Sequence, residues 1–229
     1  MAASASQSTQ VARPAEARGE VYEYDLIKLF TIASIAWGVL GMLAGVYIAS
    51  ELAWPALNAG MAEVSFGRLR PVHTNLVIFG FGGNALIATS LYVVQRTCQV
   101  RLWGPGWLHY GFFWLWQFIL AVGIAALMSG FRQSREYAEF PFVVYLLIAV
   151  AWSIYFLVFL GTIRRRSQPH IYVANWFYLA FILATALLHV FNNLQIPFAL
   201  WESYSLFGGT QDAMTQWWYG HNVVGFILT

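Results

Sequence analysis

The residues of this chain best suited to bind a metal are its five histidines, His73, His109, His170, His189 and His221. Imidazole is the common protein ligand for haem iron and for copper. Three of the five, from three separate apolar segments, share one level of the bilayer, where an ionisable group is costly and generally functional. His73 opens the second segment. His189 lies near the end of the fifth, on the same side. At 1.5 Å per helical residue, His221 lies roughly 8–14 Å into the sixth from that face. His109 and His170 open the third and fifth segments at the opposite interface, where wetted interfacial residues explain them better than ligands do.

The neighbours of each histidine weigh ligand against structural side chain. An interfacial or hydrogen-bonded histidine explains His73 alone equally well. Arg68 and Arg70 precede it, and a guanidinium fork suits the propionates of a haem held there. Such a pair also anchors lipid headgroups. Gly80, Gly82 and Gly83 follow, admitting a porphyrin or a packed helix close to the backbone. Trp217 is one turn before His221, on the same helix face, in the run Gln216-Trp217-Trp218-Tyr219-Gly220-His221-Asn222. It would fix the imidazole and exclude water; a polar helix–helix contact is the alternative. His189 precedes Asn192-Asn193 and reads as a structural histidine. The third loop carries Glu136 and Glu139. They would suit a hard cation such as calcium, although a solvated loop with local ion pairs is the commoner arrangement.

The elements that position these groups are membrane helices. Apolar residues make up 59% of the 229 and charged residues 10%, far below the charge of a soluble domain. Segments at Leu29–Leu52, His73–Val94, Leu108–Gly130, Pro141–Ile163 and Ile171–Leu194 are long enough to cross a bilayer. A sixth begins near Asp212 and is still apolar at Thr229, so the pattern predicts five complete spans, a truncated sixth and a longer parent protein. Residues 1–24 read as a disordered tail without a secretory signal. Arg13, Arg18, Lys28, Arg96, Arg101 and Arg164-Arg165-Arg166 outnumber Arg68, Arg70, Arg132 and Arg135 on the other side, placing the N-terminus inside. A net charge of +2 gives no case for nucleic acid, and the single cysteine, Cys98, excludes a disulfide framework. There is no internal repeat.

Four stretches, in this order, resemble the catalytic subunit I of cbb3-type cytochrome c oxidases, the C-family of haem–copper oxygen reductases. They are Phe66-Gly67-Arg68-Leu69-Arg70-Pro71-Val72-His73-Thr74-Asn75, Val94-Gln95-Arg96-Thr97-Cys98-Gln99, the arginine-rich fourth loop with His170-Ile171-Tyr172-Val173-Ala174-Asn175-Trp176, and Gln211-Asp212-Ala213-Met214-Thr215 running into the Gln216–Asn222 motif. The likeness covers residues 25–229. It implies an all-α membrane protein, the N-terminal part of a twelve-helix haem–copper oxidase fold. Its activity would be reduction of oxygen to water with electrons from cytochrome c, coupled to proton translocation, in a complex with c-type cytochrome subunits in the bacterial inner membrane.

The resemblance also implies roles. His73 matches an axial ligand of the low-spin haem b, Arg70 the arginine beside its propionates, and His221 a ligand of the copper that faces a high-spin haem b. Glu136 falls near an acidic position that helps bind calcium, and Thr229 where the family places a proton-pathway hydroxyl. Asn222-Val223 follow His221 and Gly225 lies one turn on, where the mitochondrial-like branch has Pro-Glu and a crosslinked tyrosine; this favours the C-family. Nitric oxide reductase is the alternative within the superfamily, although the sixth segment lacks its glutamates. A polytopic transporter is the alternative outside it.

Overall fold

The computed structural model describes residues 22–227, so the tail expected over residues 1–24 lies almost wholly outside the described residues, as does Thr229. Six helices are described: α1 (Tyr24–Ala53), α2 (Phe66–Cys98), α3 (Gly106–Ser129), α4 (Phe142–Arg164), α5 (Val173–Asn192) and α6 (Thr210–Ile227). The first five are long and apolar enough to span a membrane. Their outer faces agree: Ile32, Ile35, Val39, Met42, Leu43 and Val46 of α1 are exposed, an apolar surface that marks contact with lipid or with other membrane helices. The chain is a multi-pass membrane protein.

The core between helices is aromatic. Phe112 of α3 stacks on Tyr155 of α4 with ring centroids 5.8 Å apart. The Tyr155 hydroxyl is 2.6 Å from the Ser90 hydroxyl of α2, which satisfies both buried groups. At the end of the bundle shared by the α2–α3 and α4–α5 loops, Asn175 donates to Thr97 at 2.8 Å and Ser167 N–H to the Cys98 carbonyl at 2.9 Å.

The second helix starts earlier than its hydropathy suggests, at Phe66, so His73 stands two turns inside it. Pro71 lies within those turns and leaves the Gly67 carbonyl, four residues back, without its helical donor. Arg132, from the α3–α4 loop, supplies that donor at 2.9 Å. Just past His73 the helix widens into a π-helical stretch, Leu76–Gly83. Such widening loosens the backbone ladder, and side chains take up two of the carbonyls. Ser34 of α1 donates to Phe81 O at 2.8 Å and Asn84 to Gly80 O at 2.6 Å.

Between α5 and α6 the chain forms a feature that the hydropathy pattern does not show, a two-stranded antiparallel hairpin. Its strands are β1 (Gln195–Pro197) and β2 (Ser203–Ser205), with Gln195 opposite Ser205.

Candidate functional site

His73 is held by α1. Its Nδ1 lies 2.8 Å from the Gly41 carbonyl oxygen, which can only accept, so Nδ1 carries the proton and donates. In the neutral ring this tautomer leaves the lone pair on Nε2. A histidine that ligates a metal almost always has its other nitrogen tied in this way. Gly45 makes room for the ring: a Cβ there would sit 2.6 Å from His73 Cε1. At Gly41 a Cβ would lie 3.1 Å from the Leu76 and Val77 side chains. Gly38, Gly41 and Gly45 thus form a groove on α1 into which α2 presses its histidine.

The α3–α4 loop closes over the start of α2. Its sequence suits either a hard-cation site or a solvated stretch with local ion pairs; the structure makes it a folded hub, because its charges find partners on three other elements. Glu136 pairs with Arg70. Arg135, nearly buried, pairs with Asp212 at the start of α6 and also donates to Ser205 of the hairpin. Gln133 donates to Ser203 at 2.9 Å. Tyr137 adopts a left-handed φ of 62°, an uncommon conformation for a bulky residue, and its carbonyl accepts from the Tyr219 hydroxyl of α6 at 2.9 Å. Glu139 turns inward, where Asn75 of α2 donates to it at 3.0 Å. Burial pushes the Glu139 carboxyl above its ordinary value, opposed by the Asn75 hydrogen bond and by the charge of Arg70.

Arg68 turns away from Arg70. It donates to Met128 O at 2.8 Å and lies 3.5 Å from Glu63, where it caps the C-terminal end of α3. Of the two arginines, Arg70 is the one beside Glu136.

His221 and Trp217 sit on the opposite face of α6 from Gln216, Tyr219, Gly220 and Val223, which pack against the bundle. Both are exposed. The structure confirms that they share a helix face, but it does not bring His221 to His73. His189 is committed at both nitrogens: Nε2 donates to Tyr145 O at 3.1 Å, and Asn193 approaches Nδ1 at 3.4 Å. Both ring nitrogens thus have partners within the chain. His109 departs from the expectation of a wetted residue. It is buried and donates from Nε2 to Trp103 O at 2.9 Å, because the α2–α3 loop folds back over it. His170 is exposed as expected. Among the described residues, no three His, Cys, Asp or Glu side chains gather closely enough to hold a metal by themselves.

A separate cavity of about 290 Å³ lies between α2 and α6, lined by Phe79, Trp116, Tyr145, Thr185, His189 and Tyr219 among others. It reaches neither His73 nor His221. Sequence reasoning passed over the α1 groove, the Asn75–Glu139 contact and the Arg135–Asp212 pair. The small residues at 38, 41 and 45, spaced by single turns, were the one available signal for the groove.

Comparison with known proteins gives a consistent result. The profile of the family described as "Cytochrome C and Quinol oxidase polypeptide I" matches residues 25–229. The chain is 52% identical over 213 residues to the cbb3-type cytochrome c oxidase subunit CcoN1 of Stutzerimonas stutzeri, covering 93% of this chain and 45% of that one. It is 50% identical over 220 residues to cytochrome c oxidase subunit 1 of Rhodobacter capsulatus, covering 94% and 41%. A bacteroid cytochrome c oxidase subunit 1 homolog of Bradyrhizobium diazoefficiens is 52% identical over 222 residues, covering 94% and 40%. The chain therefore spans less than half the length of these curated relatives.

Proposed function

The chain belongs to the cytochrome c and quinol oxidase polypeptide I family, and from that premise we propose that it is part of the catalytic subunit of a cbb3-type terminal oxidase. The observation that carries this reading is the seat of His73. Its Nδ1–H is fixed on Gly41 O, the ring fills the space left by Gly45, and Nε2 keeps its lone pair. A tied Nδ1 that leaves Nε2 for the metal supports an axial ligand of a low-spin haem b iron.

In this reading His73 would hold the haem b, and His221 would contribute to the copper beside a high-spin haem b. Haem and copper, when bound, supply electron transfer from cytochrome c and the reduction of oxygen to water. The chain's own residues orient, screen and neutralise. Arg70 stands at the same end of α2 as His73 and offers a guanidinium to propionates, with Glu136 holding it in place. Trp217, one turn before His221 on the same helix face, would shield one side of it when the site is complete. The exposure of His221 and Trp217 fits a copper site completed by groups outside the described residues. A calcium ion at Glu136 would likewise draw most of its oxygens from elsewhere in the complex, since calcium takes about six to eight. Thr229 would serve proton transfer. The assembly would lie in the bacterial inner membrane, N-terminus in the cytoplasm, with c-type cytochrome subunits delivering electrons and proton translocation coupled to oxygen reduction.

The test is His73→Ala in the full-length subunit, expressed with its complex. The reduced-minus-oxidised spectrum is expected to lose the low-spin haem b band while the polypeptide stays in the membrane. An intact band would overturn the assignment. Metal analysis of the wild type separates the two superfamily readings, because iron without copper would favour the nitric oxide reductase.

A further inference from the structure

We propose that the C-terminal end of α4, together with Trp103 of the α2–α3 loop, forms a binding site for the headgroup of an anionic phospholipid. A concavity of about 250 Å³ opens there, lined by Trp103, Leu157, Leu160, Gly161, Arg164 and Arg165. Its floor is apolar and its rim cationic, the polarity of a lipid molecule at an interface.

The pocket is built, not incidental. Trp103 is fixed through its backbone on both sides: its N–H donates to Thr162 Oγ1 at 3.0 Å, and its carbonyl accepts from His109 at 2.9 Å. The indole packs close against α4 because residue 161 is glycine; a Cβ there would come within 2.5 Å of the ring. Tryptophan is favoured at headgroup level, where an apolar body meets a polar edge.

The three consecutive arginines divide their work. Arg166 turns back onto the chain, donating to Ile163 O at 3.2 Å and Pro169 O at 3.5 Å. Arg164 and Arg165 are exposed and form no ion pair among the described residues. Other arginines of this chain are paired: Arg101 with Glu23, Arg70 with Glu136 and Arg135 with Asp212. An arginine that serves only to orient a helix needs no concavity beside it. Two unpaired cations over one call for an anion.

What makes that anion a lipid is the surface below. Leu146, Val150, Ser153 and Leu157 are exposed at spacings of three and four residues, so they form one stripe on α4. Arg164 stands beyond the end of that stripe, seven residues or about two helical turns past Leu157. A phosphodiester between the arginines would lay its acyl chain along the stripe, and a free phosphate would gain nothing from it. Basic pockets between helices near a membrane face are known to take acidic lipid headgroups.

The experiment uses the full-length subunit in its complex, reconstituted in phosphatidylcholine nanodiscs. The probe is phosphatidylglycerol carrying a photoreactive diazirine in its headgroup, and crosslinked peptides are mapped by mass spectrometry. Labelling is expected on the peptides that contain Trp103 and Gly161, with competition by unlabelled phosphatidylglycerol but not by inorganic phosphate. In R164Q/R165Q the competing concentration is expected to rise about thirtyfold, equivalent to about 2 kcal/mol for two charges. R164K/R165K is expected to keep the labelling, since either cation binds a phosphate. Equal labelling of those peptides by a diazirine phosphatidylcholine, competition by inorganic phosphate, or unchanged labelling in R164Q/R165Q would each overturn the proposal. If R164Q/R165Q fails to insert, the headgroup comparison on the wild type decides.

Discussion

The groove of α1 that seats His73 and the outer face of α6 that carries His221 solve the same problem to different degrees. At His73 the chain supplies everything that orients the ring: a carbonyl at Gly41, a vacated volume at Gly45 and a helix pinned on both sides. At His221 it supplies a helix face and one aromatic neighbour, and the side chain stays exposed. Orientation by close packing makes a ligand intolerant of its surroundings. Orientation by a helix alone leaves it free until other groups arrive. The two histidines should therefore respond differently to substitution, even though each is expected to hold a metal.

The sharpest test is Gly45→Leu in the full-length subunit. A side chain at 45 must enter the space of the His73 ring, so the ring is expelled and the low-spin haem b band is expected to vanish. Overpacking alone costs about 1–3 kcal/mol. A retained band would break the contrast, because His73 would then not depend on its seat. Next in size, His221→Ala is expected to remove copper and oxygen consumption while sparing the haem b band. Retained copper or unimpaired oxygen consumption would show that His221 holds no metal. The smallest effect concerns Glu139. Its carboxyl lies above the ordinary value of 4.5 because it is buried. A raised folded-state value favours the folded form fully below about pH 4.5, and that contribution is lost as pH rises through the folded value. Glu139→Gln should flatten this fall, so the variant gains on the wild type at higher pH in a thermal-melt series. Parallel profiles would show that Glu139 is not the group responsible.

Much of this was legible in the sequence. The spans at Leu108–Gly130 and Pro141–Ile163 match α3 and α4 to within two residues, since apolar run length is what a bilayer selects. The second span was placed seven residues too late. Phe66–Pro71 contains two arginines and a proline, and hydropathy cannot foresee that a distant arginine repairs the helix. Trp217 and His221 share a face as their spacing requires. The α3–α4 loop was the least legible region. Its carboxylates were visible, but the partners Arg70, Asn75 and Asp212 come from other segments, and pairing across segments leaves no local pattern. Nor does the hairpin, whose strands are too short for any periodicity to show.

The contact between Arg132 and the Gly67 carbonyl also implies an order of events during synthesis. The donor lies beyond the whole of α3, on the loop that emerges with the far end of that helix. When α2 first enters the membrane, its opening turns carry a backbone acceptor that only water can satisfy. That acceptor gains its protein donor once α3 has crossed and handed over its loop. The start of the helix that carries the first ligand is thus completed by a segment translated well after it, so folding of this end does not proceed strictly from the N-terminus onward.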